Sequence, residues 1–158
     1  MKKNKIKAFT FDTGGTVLDW HTGFKKGFEA IIKKYDIKKD SVDLANKFRK
    51  LSLEKVTNQN QNDLINFDEA HKEAIKQIFT DFSITISNED LTFLSYEVPS
   101  KLEAWPDFLR PFNTLREKYL CVSFTLLSNR LVFLNSKRNK INWDLILSCE
   151  TLEVYKPN

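Results

Sequence analysis

At 158 residues, 41% of them apolar, the chain is long enough for one domain or for one core with a modest insertion, and it is rich enough in apolar side chains to fold around a real interior. Its formal net charge of +4 comes from lysines scattered among Asn, Ile and acidic residues, without the Arg-rich or aromatic-basic stretches of a nucleic-acid surface, and no window nears the roughly 18 apolar residues of a membrane span. The basic start MKKNKIKAFTF has too short an apolar run for a secretion signal, and Cys121 and Cys149 stand singly in apolar surroundings (YLCVSF, LILSCE). Both features read as a cytoplasmic protein with reduced thiols.

Residues 6–11 form a short apolar run ending at Asp12, Gly14 and Gly15, which predicts a strand covered on both faces. From about 22 to 35, Phe24, Phe28, Ile31 and Ile32 recur at helical spacing with lysines opposite, and 40–57 repeats that period behind an Asp/Ser cap. NQNQND at 58–63 reads as a loop, 67–82 as a third helix and 88–96 as a shorter fourth. After Pro99, WPDFLRPFNTLREKY carries a helix that Pro111 is expected to limit or kink, and CVSFTLLSN is again a strand ending in small polar residues. A short basic helix over about 131–140 and a third strand in WDLILS complete the order. Strands separated by helices indicate a parallel α/β core, interrupted near residue 18 by an all-helical insertion.

In open parallel sheets, ligands sit beyond the carboxyl ends of the strands. Asp12 occupies one such end and the pair Ser128 and Asn129 another, while Gly14 and Gly15 leave the backbone free to turn and to approach a ligand.

The stretches FDTGGTVLDW, WPDFLRPFNTLREKY, the strand ending LLSN, and INWDLILSCETLEVYKPN resemble, in that order, motifs of the haloacid dehalogenase superfamily, and within it the type II haloacid dehalogenases. The resemblance implies a Rossmann-like α/β core from residues 1–17 and 97–158 with a helical cap inserted at 18–96. It implies Asp12 as the nucleophile, which suits a carboxylate because that group is ionised at neutral pH without an added base. Attack on C2 of a 2-haloacid would displace halide and leave an aspartyl ester for water to hydrolyse.

On the same resemblance Thr16 orients the Asp12 carboxylate, and Lys156 in VYKPN neutralises charge around it. Ser128 and Asn129, with the loop glycines Gly14 and Gly15, bind the substrate, although a serine and an asparagine after a strand also serve as a helix N-cap. Arg49 resembles the cap arginine that receives the departing halide, a task suited to a fixed guanidinium; its neighbours Lys47 and Lys50 make a solvated helix face the competing reading. His71 is expected to be a satisfied helical histidine, and Asp19, Trp20 and His21 to mark the hinge into the cap.

Two features depart from the family pattern. Gly14 stands where the phosphatases of the superfamily carry a second Asp and where type II dehalogenases place an aromatic residue; an alkoxide needs a general acid to leave and a halide does not, so Gly14 weighs against a phosphatase. Arg130 replaces a small residue after Ser128 and Asn129. The sequence also stops after the YKP motif, before the fourth acidic motif, so the core is expected to be incomplete at its C-terminal side, with the first strand left as an edge that favours dimerisation. The expected partner is a small carboxylate such as a 2-haloacid, with no metal, no cofactor, no nucleic acid and no membrane. A phosphatase and an inactive remnant are the alternative readings.

Overall fold

The computed structural model describes residues 6–60 and 62–157; residues 1–5, Gln61 of the NQNQND loop and Asn158 of the VYKPN stretch lie outside it. Three parallel strands, β1 (Ala8–Phe11), β2 (Leu120–Thr125) and β3 (Leu145–Ser148), form one sheet in the order β1-β2-β3. Ala8 pairs with Leu120 and Phe11 with Ser123. β1 starts two residues later than the apolar run because β2 begins at Leu120 and offers no ladder partner further back. Among the described residues β2, rather than β1, is the central strand, and exposure alternates along β1, with Ala8 and Thr10 open to solvent.

The insertion is helical, as the period-3.6 pattern predicts. Helix α1 (Trp20–Tyr35) starts at Asp19, whose carboxylate accepts from the Thr22 amide, and it buries Phe24, Phe28 and Ile31. Helix α2 (Ser41–Thr57) starts at Asp40, as the cap signal predicts, and α3 (Phe67–Asp81) at Asn66. Helix α4 (Asn88–Thr92) continues into a π turn at Phe93–Glu97 and a 3-10 turn at Val98–Lys101. Phe28, Phe48, Phe79, Ile75, Ile78 and Leu94 close a core of their own between these helices. Each such side chain contributes about 2 kcal/mol over its exposed state.

A second cluster covers the sheet and holds Val17, Leu18, Leu102, Phe112, Leu127, Leu131 and Val132, together with Val56, Phe67 and Ala70 from the insertion. Helix α5 (Leu109–Arg116) contains Pro111 without a kink. Proline is its third residue, in the first turn, where amides have no intrahelical acceptor to lose. Helix α6 (Asn129–Arg138) connects β2 to β3, and a final turn, α7 (Cys149–Leu152), follows β3.

The two chain crossings into the insertion run side by side as a short antiparallel ribbon. The Asp19 amide donates to the Glu103 carbonyl at 2.8 Å, and the Trp105 amide donates to the Val17 carbonyl at 3.0 Å. Two buried asparagines of α6 fix the return crossing. Asn135 accepts from the Leu102 amide and donates to the Pro99 carbonyl, and Asn139 accepts from the Ala104 amide and donates to the Leu102 carbonyl.

Candidate active site

Asp12 follows the last residue of β1, and its side chain keeps 44% of its surface exposed. The loop after it folds back so that Thr16 Oγ1 donates to Asp12 Oδ2 at 3.0 Å. That return depends on Gly15, which sits at φ +102°, a conformation that L side chains rarely adopt. Gly14 lacks this requirement: a β-carbon there would only touch Leu127 at an ordinary 3.7 Å. The turn thus requires one glycine of the pair, whereas the sequence pattern points to both.

Lys156 comes from the far end of the chain, after α7. Its Nζ donates to Asp12 Oδ1 at 3.1 Å and to the Phe124 carbonyl at 2.7 Å, and lies 4.7 Å from the Phe124 ring centroid. Asp12 therefore has one carboxylate oxygen held by a hydroxyl and the other by an ammonium group. Tyr155, beside the lysine, is buried, and burial, with Glu150 and Cys149 adding to it, pushes its pKa up to about 12.

Arg49 reaches the same loop from α2. It donates to the Gly14 carbonyl at 3.1 Å, and its guanidinium lies over the rings of Trp20 (5.1 Å) and Phe67 (6.0 Å). Burial lowers its pKa, and the Asp12 carboxylate works in the opposite direction. The competing expectation of a solvated arginine fails, because two aromatic faces and a carbonyl occupy it. Between Asp12, Gly14, Arg49 and Phe67 lies a cavity of about 10 Å³, roughly the room for one water. A larger open cleft of about 430 Å³ adjoins Thr16, lined by Phe11, Trp105, Phe108 and Phe112 among others.

Ser128 and Asn129 have other partners. Ser128 is the N-cap of α6, accepting from the Leu131 amide, and its hydroxyl donates to Asp68 Oδ2 at 3.0 Å. The Asn129 amide donates to Glu150 Oε2 at 2.7 Å, and its Oδ1 accepts from the Thr151 hydroxyl. Arg130 is taken up by Asp68 through Nε at 3.0 Å and Nη2 at 3.1 Å, with its guanidinium 4.5 Å above the Tyr96 ring. The structure therefore brings Asp12, Thr16, Lys156, Arg49, Gly14 and Gly15 together, and gives the Ser128 hydroxyl to Asp68 and the Asn129 carboxamide to the Thr151 hydroxyl.

Asp68 and Glu150 escape a reading of the sequence. Both sit in the first turn of a helix, where an acidic residue needs no further explanation. The signal available was Arg130, a bulky cation at a position packed under α3, which demands a carboxylate nearby. His71 is helical and buried as expected, but its Nδ1 has no hydrogen-bond partner; burial, then the Arg49 charge, lowers its pKa to about 3. Among the described residues no three His, Cys, Asp or Glu side chains converge as a metal site.

No protein-family model matches the chain, and no curated protein matches it in sequence. Its three-dimensional structure does have matches: the fold is the one seen in L-2-haloacid dehalogenase structures. An L-2-haloacid dehalogenase superposes with a TM-score of 0.85 at 20% identity, over 98% of this chain and 66% of its own. A defluorinating L-2-haloacid dehalogenase gives 0.85 at 22% identity, over 98% and 64%. The L-2-haloacid dehalogenase of Xanthobacter autotrophicus with chloropropionic acid covalently bound gives 0.83 at 16% identity, over 98% and 61%. The chain thus spans somewhat less than two thirds of the length of these structures.

Proposed function

We propose that the chain is a 2-haloacid dehalogenase-like hydrolase built from a core of residues 1–17 and 97–158 and a helical cap of residues 18–96. The observation that carries this reading is the pairing of Asp12 with Lys156 and Thr16, with Arg49 across a small cavity. An Asp12 carboxylate oxygen attacks C2 of the haloacid, the carbon–halogen electron pair leaves with the halide, and an aspartyl ester results. Water then adds to the ester carbonyl, the Asp12 carboxylate is regenerated, and a 2-hydroxy acid and a proton depart.

Each residue has a share in this scheme. Thr16 and Lys156 fix the rotation of the Asp12 carboxylate, and Lys156 stabilises the negative charge that builds when water attacks the ester. Arg49 receives the halide, held by the Gly14 carbonyl and by contact with the Trp20 and Phe67 rings so that little side-chain freedom is lost on binding. Ser128 and Asn129 serve the substrate carboxylate once Asp68 releases the Ser128 hydroxyl and Thr151 the Asn129 carboxamide, and Gly14 leaves room near the reacting carbon. Departure of a halide requires no general acid, in keeping with the absence of a side chain at Gly14. The scheme uses no cofactor.

The buried free thiols Cys121 and Cys149 favour a reducing, cytoplasmic setting, and the one-sided pairing of β1 is the feature that favours a homodimer. Among the described residues no helix is long and apolar enough to cross a membrane.

The reading is tested by halide release from each enantiomer of 2-chloropropionate, beside an Asp12→Asn variant of confirmed fold. Release confined to one enantiomer and lost in the variant is the expected result. A folded chain that releases none from either enantiomer contradicts it.

A further inference from the structure

The cavity between Asp12 and Arg49 has room for about one water. On the proposed reaction, a reacting carbon with its halogen stands between Asp12 and Arg49, so Phe67, which closes the cavity, must withdraw before substrate enters. Phe67 opens α3, and the first turn of α3 is joined to the first turn of α6. Asp68, 5% exposed and next in the chain to Phe67, takes Arg130 through two N–H groups and the Ser128 hydroxyl through a third bond. Tyr96 backs the guanidinium from the insertion side.

Among the described residues, Asp68 to Arg130 is the one ion pair that joins residues 18–96 to the rest of the chain. Every other pair lies within the insertion or within the remainder. The ribbon of residues 17–19 and 103–105, made of backbone hydrogen bonds, offers a place where the insertion can pivot without breaking its own core.

The geometry points to the Asp68–Arg130 pair, with Ser128, as a latch that keeps Phe67 over the cavity beside Asp12, and whose release widens that cavity to admit substrate. Bidentate pairing of a guanidinium with a carboxylate has a defined geometry, so the latch has a closed position rather than a range of them. Arg130 is 34% exposed at its side chain, so water can take over its hydrogen bonds when the pair parts, which keeps opening accessible. Release also frees the Ser128 hydroxyl, so widening the cavity and presenting a donor to substrate become one event. The role assigned to the cavity rests on the proposed dehalogenase reading; the ion pair itself does not.

The test is amide hydrogen exchange on the full chain in wild type, Arg130→Gln and Asp68→Asn, with halide release followed in parallel. The amides of Glu69 and Ala70 in α3, and of Asn129 and Leu131 at the start of α6, are all hydrogen-bonded and report on the seam. A latch predicts that exchange at these amides speeds by about tenfold or more in Arg130→Gln while the β2 amides change by less than about twofold. Unchanged exchange at the seam, or an equal rise along β2, overturns it. If Asp68→Asn fails to fold, Arg130→Gln alone decides. Faster seam exchange in a chain that releases no halide upholds the latch and counts against the dehalogenase reading only.

Discussion

Lys156 Nζ stands 3.1 Å from Asp12 Oδ1 and 2.7 Å from the carbonyl of Phe124, so the lysine is tied at once to the Asp12 carboxylate and to the end of the neighbouring strand. The second bond fixes where the first one points. The ammonium group is thus preorganised, and on the proposed reaction it would meet charge developing on the Asp12 side without a search for position. Replacing it with methionine keeps the aliphatic stem and removes the charge. Halide release from 2-chloropropionate is expected to fall by roughly 100-fold or more in Lys156→Met. Because the ion pair is part-exposed, thermal stability should move by about 1 kcal/mol or less. A denaturation curve and a halide assay on the same sample separate the two effects.

The loop glycines should respond differently to alanine. Gly15→Ala forces a β-carbon onto φ +102° and to within 3.1 Å of Trp20, and should cost roughly 1–3 kcal/mol by urea denaturation. Gly14→Ala meets only ordinary contact and should leave stability within about 0.5 kcal/mol. Equal losses at the two positions would contradict the turn geometry described above.

His71 makes stability depend on pH. Its folded pKa of about 3 lies below the ordinary histidine value of 6.5 because burial, and then the nearby Arg49 charge, oppose protonation; Arg130 acts in the same direction. Below the unfolded pKa the unfolded chain binds a proton that the folded chain refuses. The native state therefore keeps its full stability above about pH 6.5 and loses up to about 1.4 kcal/mol per pH unit between there and pH 3. His71→Phe should flatten that part of the profile in a series of denaturation curves. A wild-type profile already flat from pH 7 to 5 would show that the histidine is accessible to protons.

Asn135 is buried with its carboxamide fully used, accepting from Leu102 and donating to Pro99 and Leu131. Asn135→Leu strands the Leu102 amide and the Pro99 carbonyl away from water. The expected loss is about 2–4 kcal/mol, measured by chemical denaturation. The damage should concentrate on the return crossing, with faster exchange at the Leu102 and Ala104 amides than in β3.

Much of this architecture is legible in the chain because it is local. Apolar spacing marks the helices, Asp40 caps the helix it precedes, and Asp12 with Thr16 meets across four positions of one loop. The β1 edge and its exposed Ala8 follow from pairing, which a short apolar run does not encode. What joins the insertion to the rest is also long-range. Asp68 and Arg130 are 62 positions apart, and the ribbon at Asp19 and Glu103 consists of backbone bonds that carry no side-chain signature. Ser128 illustrates the difference: its cap role is visible beside the strand, whereas its bond to Asp68 depends on how α3 packs. Lys156, 144 positions from Asp12, was placed by motif order alone.

If Asp12 forms an ester with its substrate, a single turnover in water enriched in heavy oxygen leaves its mark on the Asp12 carboxylate. With chain in excess over 2-chloropropionate, water attacks the ester carbonyl, so the heavy atom should enter the Asp12 carboxylate and the first product molecule should carry ordinary oxygen. Mass analysis of the peptide containing Asp12 reads the label. Heavy oxygen found in the product after one turnover, with Asp12 unlabelled, would mean that water attacks the substrate itself and that Asp12 is not the nucleophile.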